Sequence, residues 1–308
     1  MPGGRAGGRI AGRTLLGATA VAAGCVAYGH FVELNAFRLR RFNRRLLRAG
    51  TAPLRILHLS DIHLLPAHRK KQAWISLLAG LEPDLVVSTG DSLSSDSALD
   101  HLEAALGRLL DKPGVFVFGS NDYYRPTLKN PLDYLVKGPS SSDTRRAELD
   151  TEALRTLFTD RGWLDLDNAA ATLDVQGHHI EVRGTDDPHI RRDDYAAVAG
   201  PADPAADLHI GVMHAPYARV LDAMTADGMD LLLAGHTHGG QVCVPLYGAL
   251  VTNCDLDRRR VKGLSTHTVQ GRTASLHVSA GLGTSPFAPY RFACRPEATL
   301  LTLLPRTR

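Results

Sequence analysis

The chain is poor in cysteine: four in 308 residues, Cys25, Cys243, Cys254 and Cys294, with no CxxC pair among them. That spacing gives no support to a zinc finger or a dithiol redox motif. A Cys243–Cys254 disulfide and a set of free buried thiols are both compatible with it. No internal repeat is visible. The positive charge is also missing from most of the chain. Residues 1–50 hold nine Arg against Glu33, while the rest carries 26 basic and 31 acidic side chains. The net charge of +3 therefore belongs to the N-terminus, and no nucleic-acid-binding body is expected. No Arg-Arg pair precedes the N-terminal apolar run, so a twin-arginine export signal is not evident.

Residues 14–32 form an apolar run without formal charge, about the length of a membrane-spanning helix. Arg5, Arg9 and Arg13 precede it, and Glu33 closes it. It reads as a retained single-pass anchor. A signal peptide cleaved after Ala18-Thr-Ala20 and lipidation at Cys25 are the alternatives. Six Arg between Arg38 and Arg48 follow the run, which by the positive-inside rule places the main domain in the cytoplasm. The same Arg residues, alternating with Phe37 and Leu39, suit an edge strand with Arg facing out. The expected organisation is a basic anchor segment, 1–50, and one catalytic domain, 51–308.

Within that domain, apolar strand signals alternate with helical stretches. Strands are expected at 55–60, 85–87, 115–118, 208–213 and 231–233. Helices are expected at about 69–80, 97–110, 150–161 and 217–226, and 171–183 reads as a hairpin around Gly177. The alternation predicts an α/β fold, in which ligands sit beyond the carboxyl ends of strands. Residues 123–148 are rich in Pro and Ser and read as an insertion, either a cap over the site or a plain surface loop.

Each of five strand signals runs into a short motif: Asp61-Ile-His63, Gly90-Asp91, Gly119-Ser-Asn121-Asp122, Met213-His214 and Gly235-His236-Thr-His238-Gly-Gly. Any one alone is weak, since Asp caps turns and His is common on surfaces. Together they bring seven hard or borderline donors, Asp61, His63, Asp91, Asn121, His214, His236 and His238, to one end of the fold. That mixture suits two Mn, Fe, Zn or Co ions better than calcium. Two such ions can clamp a phosphate and activate water. His189, in Asp186-Asp187-Pro-His189, reads as loop, with lining of the site as the lesser alternative.

The set of motifs resembles the calcineurin-like metallophosphoesterase superfamily, in particular its bacterial membrane-associated branch. The resemblance implies a four-layer α/β/β/α sandwich of two mixed sheets flanked by helices. It implies that Asp61, His63, Asp91 and His238 hold one metal, and that Asp91, Asn121, His214 and His236 hold the other. A bridging hydroxide would attack phosphorus in line. Asn121 and His214 would then serve catalysis as well as metal binding. The expected substrate is a phosphorylated small molecule or lipid, cleaved as an ester or a pyrophosphate. UDP-2,3-diacylglucosamine pyrophosphohydrolases, in the same superfamily, are the first subclass to test. The family motif usually reads Gly-Asn-His-Asp/Glu, with the His assisting the leaving oxygen. Here Asp122 follows Asn121 and is taken as standing in the His place, ionised by nearby positive charge and a poor acid. A binding module with the same fold and little turnover is the non-enzymatic alternative.

Overall fold

The computed structural model of the chain describes residues 19–128 and 146–307. Two six-stranded sheets make the body. The first has the order β1 (Arg38–Leu47), β14 (Glu297–Pro305), β2 (Leu54–Leu59), β3 (Leu85–Ser88), β4 (Gly114–Phe116) and β5 (Leu164–Asp165). The second runs β12 (Gly263–Val269), β13 (Arg272–Val278), β9 (Leu231–Ala234), β8 (Leu208–Val212), β7 (His178–Gly184) and β6 (Ala170–Val175), and β10 (Cys243–Val244) and β11 (Gly248–Ala249) form a separate pair.

Strand periodicity explains the layers, because successive side chains leave a strand on opposite faces. Leu54 and Ile56 of β2 join Val87, Val115, Leu301, Ile210, Val212 and Leu233 in the core between the sheets. Leu57 and Leu59 point the other way, into an outer core with Ile75, Leu102, Leu106 and Phe158 of the helices Arg69–Leu77, Leu99–Leu106 and Thr151–Thr159. Behind the second sheet, Leu232, Leu276 and Val278 pack against Val220, Leu221 and Met224 of the helix Ala218–Asp227. The architecture is the four-layer α/β/β/α sandwich. Strands buried on both faces carry near-continuous Val, Ile and Leu, which is why their runs stood out. The hairpin expected at 171–183 is the antiparallel pair β6–β7.

The N-terminal expectations need correction. Residues 1–18, and with them the start of the supposed span and the cleavage site at Ala18, lie outside the described residues. Residues 19–31 are helical, but among the described residues no helix is long and apolar enough to cross a membrane. A single-pass membrane location is therefore not supported, and the cytoplasmic placement of the domain falls with it. The helix instead ends against the loop at 289–294. His30 Nδ1 lies 2.6 Å from the Pro289 carbonyl, and the Glu33 carboxylate accepts the N–H groups of Ala293 and Cys294. Five of the six Arg residues counted for orientation, all but Arg48, belong to β1, an edge strand that pairs in parallel with β14 from Arg38↔Glu297 to Leu47↔Pro305. β1 lies ahead of the boundary expected at residue 51 and is part of the sheet. The Cys243–Cys254 disulfide does not form, and all four thiols are free. Of the insertion expected at 123–148, residues 129–145 lie outside the described part.

Candidate metal centre and active site

β2, β3 and β4 run parallel as neighbours in one sheet, and β8 and β9 do so in the other. Their carboxyl ends meet, so all five motifs arrive at one place. Backbone hydrogen bonds join the first two motifs: the N–H of Asp61 donates to Gly90 O, and that of His63 to Asp91 O, both at 2.9 Å. Asp61, His63, Asp91, His236 and His238 all have φ between 44° and 68°, a left-handed conformation uncommon outside glycine. Five strained residues in one cluster mark a site whose geometry the surrounding fold enforces. Gly119 allows the close approach: a Cβ there would stand 2.6 Å from Cε1 of His214 and closer still to Asp91 Oδ1.

The donor atoms converge. One atom each from Asp61, His63, Asp91 and His238 lie within 4.8 Å of one another. His63 Nε2 and His238 Nε2 are 3.3 Å apart, and so are His214 Nε2 and His236 Nδ1. Asp91 Oδ2 stands between the pairs, 3.4 Å from His63 Nε2 and 3.6 Å from His214 Nε2. The other ring nitrogens are tied to carbonyls: His238 Nδ1 to Gly283 O at 2.9 Å, His214 Nδ1 to Thr89 O at 2.6 Å, His236 Nε2 to Asn253 O at 3.2 Å. His238 and His214 can give a ring proton to these carbonyls, which leaves the nitrogen facing the cluster to ligate a metal once it carries no proton of its own. Two ring nitrogens 3.3 Å apart can share a cation where neither carries a proton between them. His63 Nδ1 is buried without a partner among the described residues.

Electrostatics point the same way. Burial pushes His63 down to about 4 and His238 well below the ordinary imidazole value, keeping both neutral. Burial raises Asp61 to about 6, with Asp91 adding repulsion. Asp91 is held below the usual carboxylate range: burial opposes this, but His214, His63 and two Asn121 N–H groups prevail. His214 rises to about 9 against its burial, because Asp91, Asp187 and Asp61 surround it. Carboxylates this crowded and this dry are the environment a divalent cation relieves.

The third motif departs from expectation. Asp122 is buried, does not line the cavity over the site, and spends both oxygens on backbone. Oδ2 accepts the N–H of Asp91 at 2.6 Å and of Gly119 at 3.0 Å, and Oδ1 accepts that of Ser92 at 2.7 Å. Its pKa is raised to about 7 by burial and by Asp91, not lowered by positive charge. Asp122 thus clamps the loops that carry Asp91 and Gly119. This role suits the acidic residue that closes the motif. Read so, Asn121 stands at the His place and Ser120 at the Asn place. Asn121 still touches Asp91, through its backbone N–H to Oδ1 at 2.8 Å and its amide nitrogen to Oδ2 at 2.7 Å. Ligation through its carbonyl oxygen requires that the amide turn over.

Other supporting groups carried no sequence signal. Ser60 Oγ donates to Asp61 Oδ2 at 2.5 Å, and Thr89 Oγ1 donates to Ser60 at 2.7 Å. Lys71 is buried, donates to Ile62 O at 2.6 Å, and is pushed down to about 7 by burial and by Arg291. Arg291, fully buried, donates to the carbonyls of Ala280 and Gly283 at 2.7 and 2.6 Å and so shapes the loop that holds His238. A cavity of about 460 Å³ opens over the cluster, with His63, Asp91 and Asn121 at its floor and Leu128, Leu250 and Phe287 on its wall.

A strand-end cluster of Asp and His between two sheets defines the class: a metal-dependent hydrolase of phosphate esters. The calcineurin-like phosphoesterase family matches residues 54–240, more than half of the chain, and the chain belongs to that family. It is 28% identical over 283 residues to the phosphodiesterase YaeI of Escherichia coli K12, covering 90% of this chain and 92% of that one. It is 26% identical over 299 residues to YpbG of Bacillus subtilis 168, covering 96% of each. Among solved structures it is similar to TT1561 of Thermus thermophilus, with a TM-score of 0.41 and 11% identity over 75% of this chain and 91% of that one. A dimetal phosphatase from Danio rerio gives 0.39 and 9% over 78% and 91%.

Proposed function

We propose that the chain is a two-metal phosphodiesterase. Asp61, His63, Asp91 and His238 hold one cation, and Asp91, Asn121, His214 and His236 the other, drawn from Mn, Fe, Zn or Co. The observation that carries this reading is the pairing of ring nitrogens at 3.3 Å on either side of Asp91 Oδ2. Such cations, when bound, lower the pKa of water and neutralise phosphate oxygens. The protein's part is orientation. Carbonyls of Thr89, Gly283 and Asn253 fix the imidazoles, Asp122 fixes the Asp91 loop, and Asn121 and His214 stand where the phosphate would sit. The apolar wall of the cavity favours an ester bearing an apolar or aromatic group, a class that includes lipid-linked and nucleotide-sugar phosphates. The likeness to YaeI supports a diester as the bond cleaved. The folded unit is taken to begin before β1.

The test is metal content by mass spectrometry together with turnover of bis(4-nitrophenyl) phosphate in Mn²⁺. Two ions per chain and metal-dependent turnover are expected. Asp91→Asn should lose more metal than Asn121→Ala, because only Asp91 belongs to both sets. Full occupancy in Asp91→Asn would remove it from the centre.

A further inference from the structure

The motif Gly119-Ser-Asn121-Asp122 contains no His, and Asp122 is committed to backbone. The leaving oxygen therefore needs a donor from elsewhere. One His lines the cavity outside the ligand set. His189 sits on the loop after β7, half-buried, and shares the cavity with His63, Asp91, Asn121 and His236. Its ring centroid is 4.3 Å from that of His236.

The loop is built to hold it. Buried Asp187 accepts the His189 backbone N–H at 2.8 Å and donates its own N–H to Asp186 Oδ1 at 2.6 Å. Asp186 is anchored in turn by the Tyr123 hydroxyl at 2.9 Å and by Arg192 Nε at 2.8 Å. His189 Nδ1 lies 3.1 Å from the Tyr217 hydroxyl. Burial raises the Tyr217 phenol to about 12, so it keeps the hydrogen that it can give to Nδ1. An imidazole that accepts at Nδ1 carries its proton at Nε2. In that tautomer the ring is a donor beside the Asp and His cluster.

We infer that His189 is a catalytic residue, whose Nε2–H hydrogen-bonds the leaving oxygen of the phosphoester. The inference rests on the phosphodiesterase reading above. In the step, a water oxygen bonds to phosphorus, the bond from phosphorus to the leaving oxygen breaks, and the electron pair goes with that oxygen. The Nε2–H meets the developing charge, and the product alcohol takes its proton from solvent, which receives the one released by the water. Removing one such donor costs about 10²–10³-fold in rate where the charge is fully developed. Tyr217 is a positioning residue.

The test compares the metal-loaded full chain with His189→Ala, His189→Gln and Tyr217→Phe on aryl and alkyl phosphodiesters of graded leaving-group pKa. Metal content and the affinity for inorganic phosphate are measured alongside. In His189→Ala the 4-nitrophenyl ester should change little, while poor leaving groups slow by about 10²–10³-fold. His189→Gln, which retains an N–H donor, should recover part of the loss, and Tyr217→Phe should show a smaller loss in the same direction. Metal content should stay at the wild-type level. A uniform loss across the series, no loss, or a loss of metal in His189→Ala overturns the inference and leaves the phosphodiesterase reading standing. A wild-type chain that binds metal but turns over none of the series overturns both.

Discussion

Replacing Asp122 by Ala separates a clamp from an acid. The change strips the acceptor from three buried N–H groups, those of Asp91, Ser92 and Gly119. A buried donor left unsatisfied costs about 1–3 kcal/mol. Water entering the gap, and relief of the repulsion between Asp122 and Asp91, offset part of this. The net loss should then be about 3–5 kcal/mol, in the range seen when a buried network is broken. For 308 residues the unfolding entropy is about 0.65 kcal/mol/K, so Tm of the metal-free chain should fall by about 5–8 °C. Metal affinity should fall about 10–100-fold, because the clamp sets the Asp91 loop. The dependence of rate on leaving-group pKa should keep its slope. Scanning calorimetry, metal titration and an ester series measure the three. Unchanged Tm and metal affinity with a steeper slope would make Asp122 an acid at the leaving group and refute the clamp.

Metal affinity should rise with pH between about 5 and 9. Asp61, raised to about 6, and His214, raised to about 9, must both shed a proton before they can ligate. Titration calorimetry at pH 7 in buffers of different ionisation enthalpy should then show about one proton released per chain, mainly from His214; no release would contradict the assignment of His214 as a ligand. Deleting residues 1–50 should lower Tm or soluble yield, because it removes β1 from its pairing with β14; an unchanged Tm would make β1 dispensable. Mild denaturation followed by thiol titration without reductant should count four thiols per chain.

The residues of the proposed centre were largely legible because they sit at the ends of strands buried on both faces. Such strands show as unbroken Val, Ile and Leu runs, and the turn after each run is short. Asp61, Asp91, His214 and His236 could therefore be placed by position alone. The order of the strands could not be, since β14 and β1, from opposite ends of the chain, pair only in three dimensions. The same gap misled the reading of the N-terminus. Arg38, Arg40 and Arg41 look like a charge cluster in one dimension, yet they lie on an edge strand where Arg38 Nη2 meets Glu297 at 2.9 Å. Asp122 was misread because the motif was aligned on its Asn rather than on the carboxylate that closes it. Lys71, Arg291 and His189 act through long-range contacts to carbonyls and rings. Local spacing carries no trace of those, although Asp186-Asp187-Pro-His189 at least flagged an acidic turn beside a His.

Anomalous diffraction from crystals of the full chain grown with Mn²⁺ tests the two-metal centre most directly. Two peaks are expected, one within ligand reach of Nε2 of His63 and His238, the other within reach of His214 Nε2 and His236 Nδ1, with Asp91 shared between them. A single peak, or peaks that leave Asp91 outside ligand distance, would contradict a dinuclear site built on these residues.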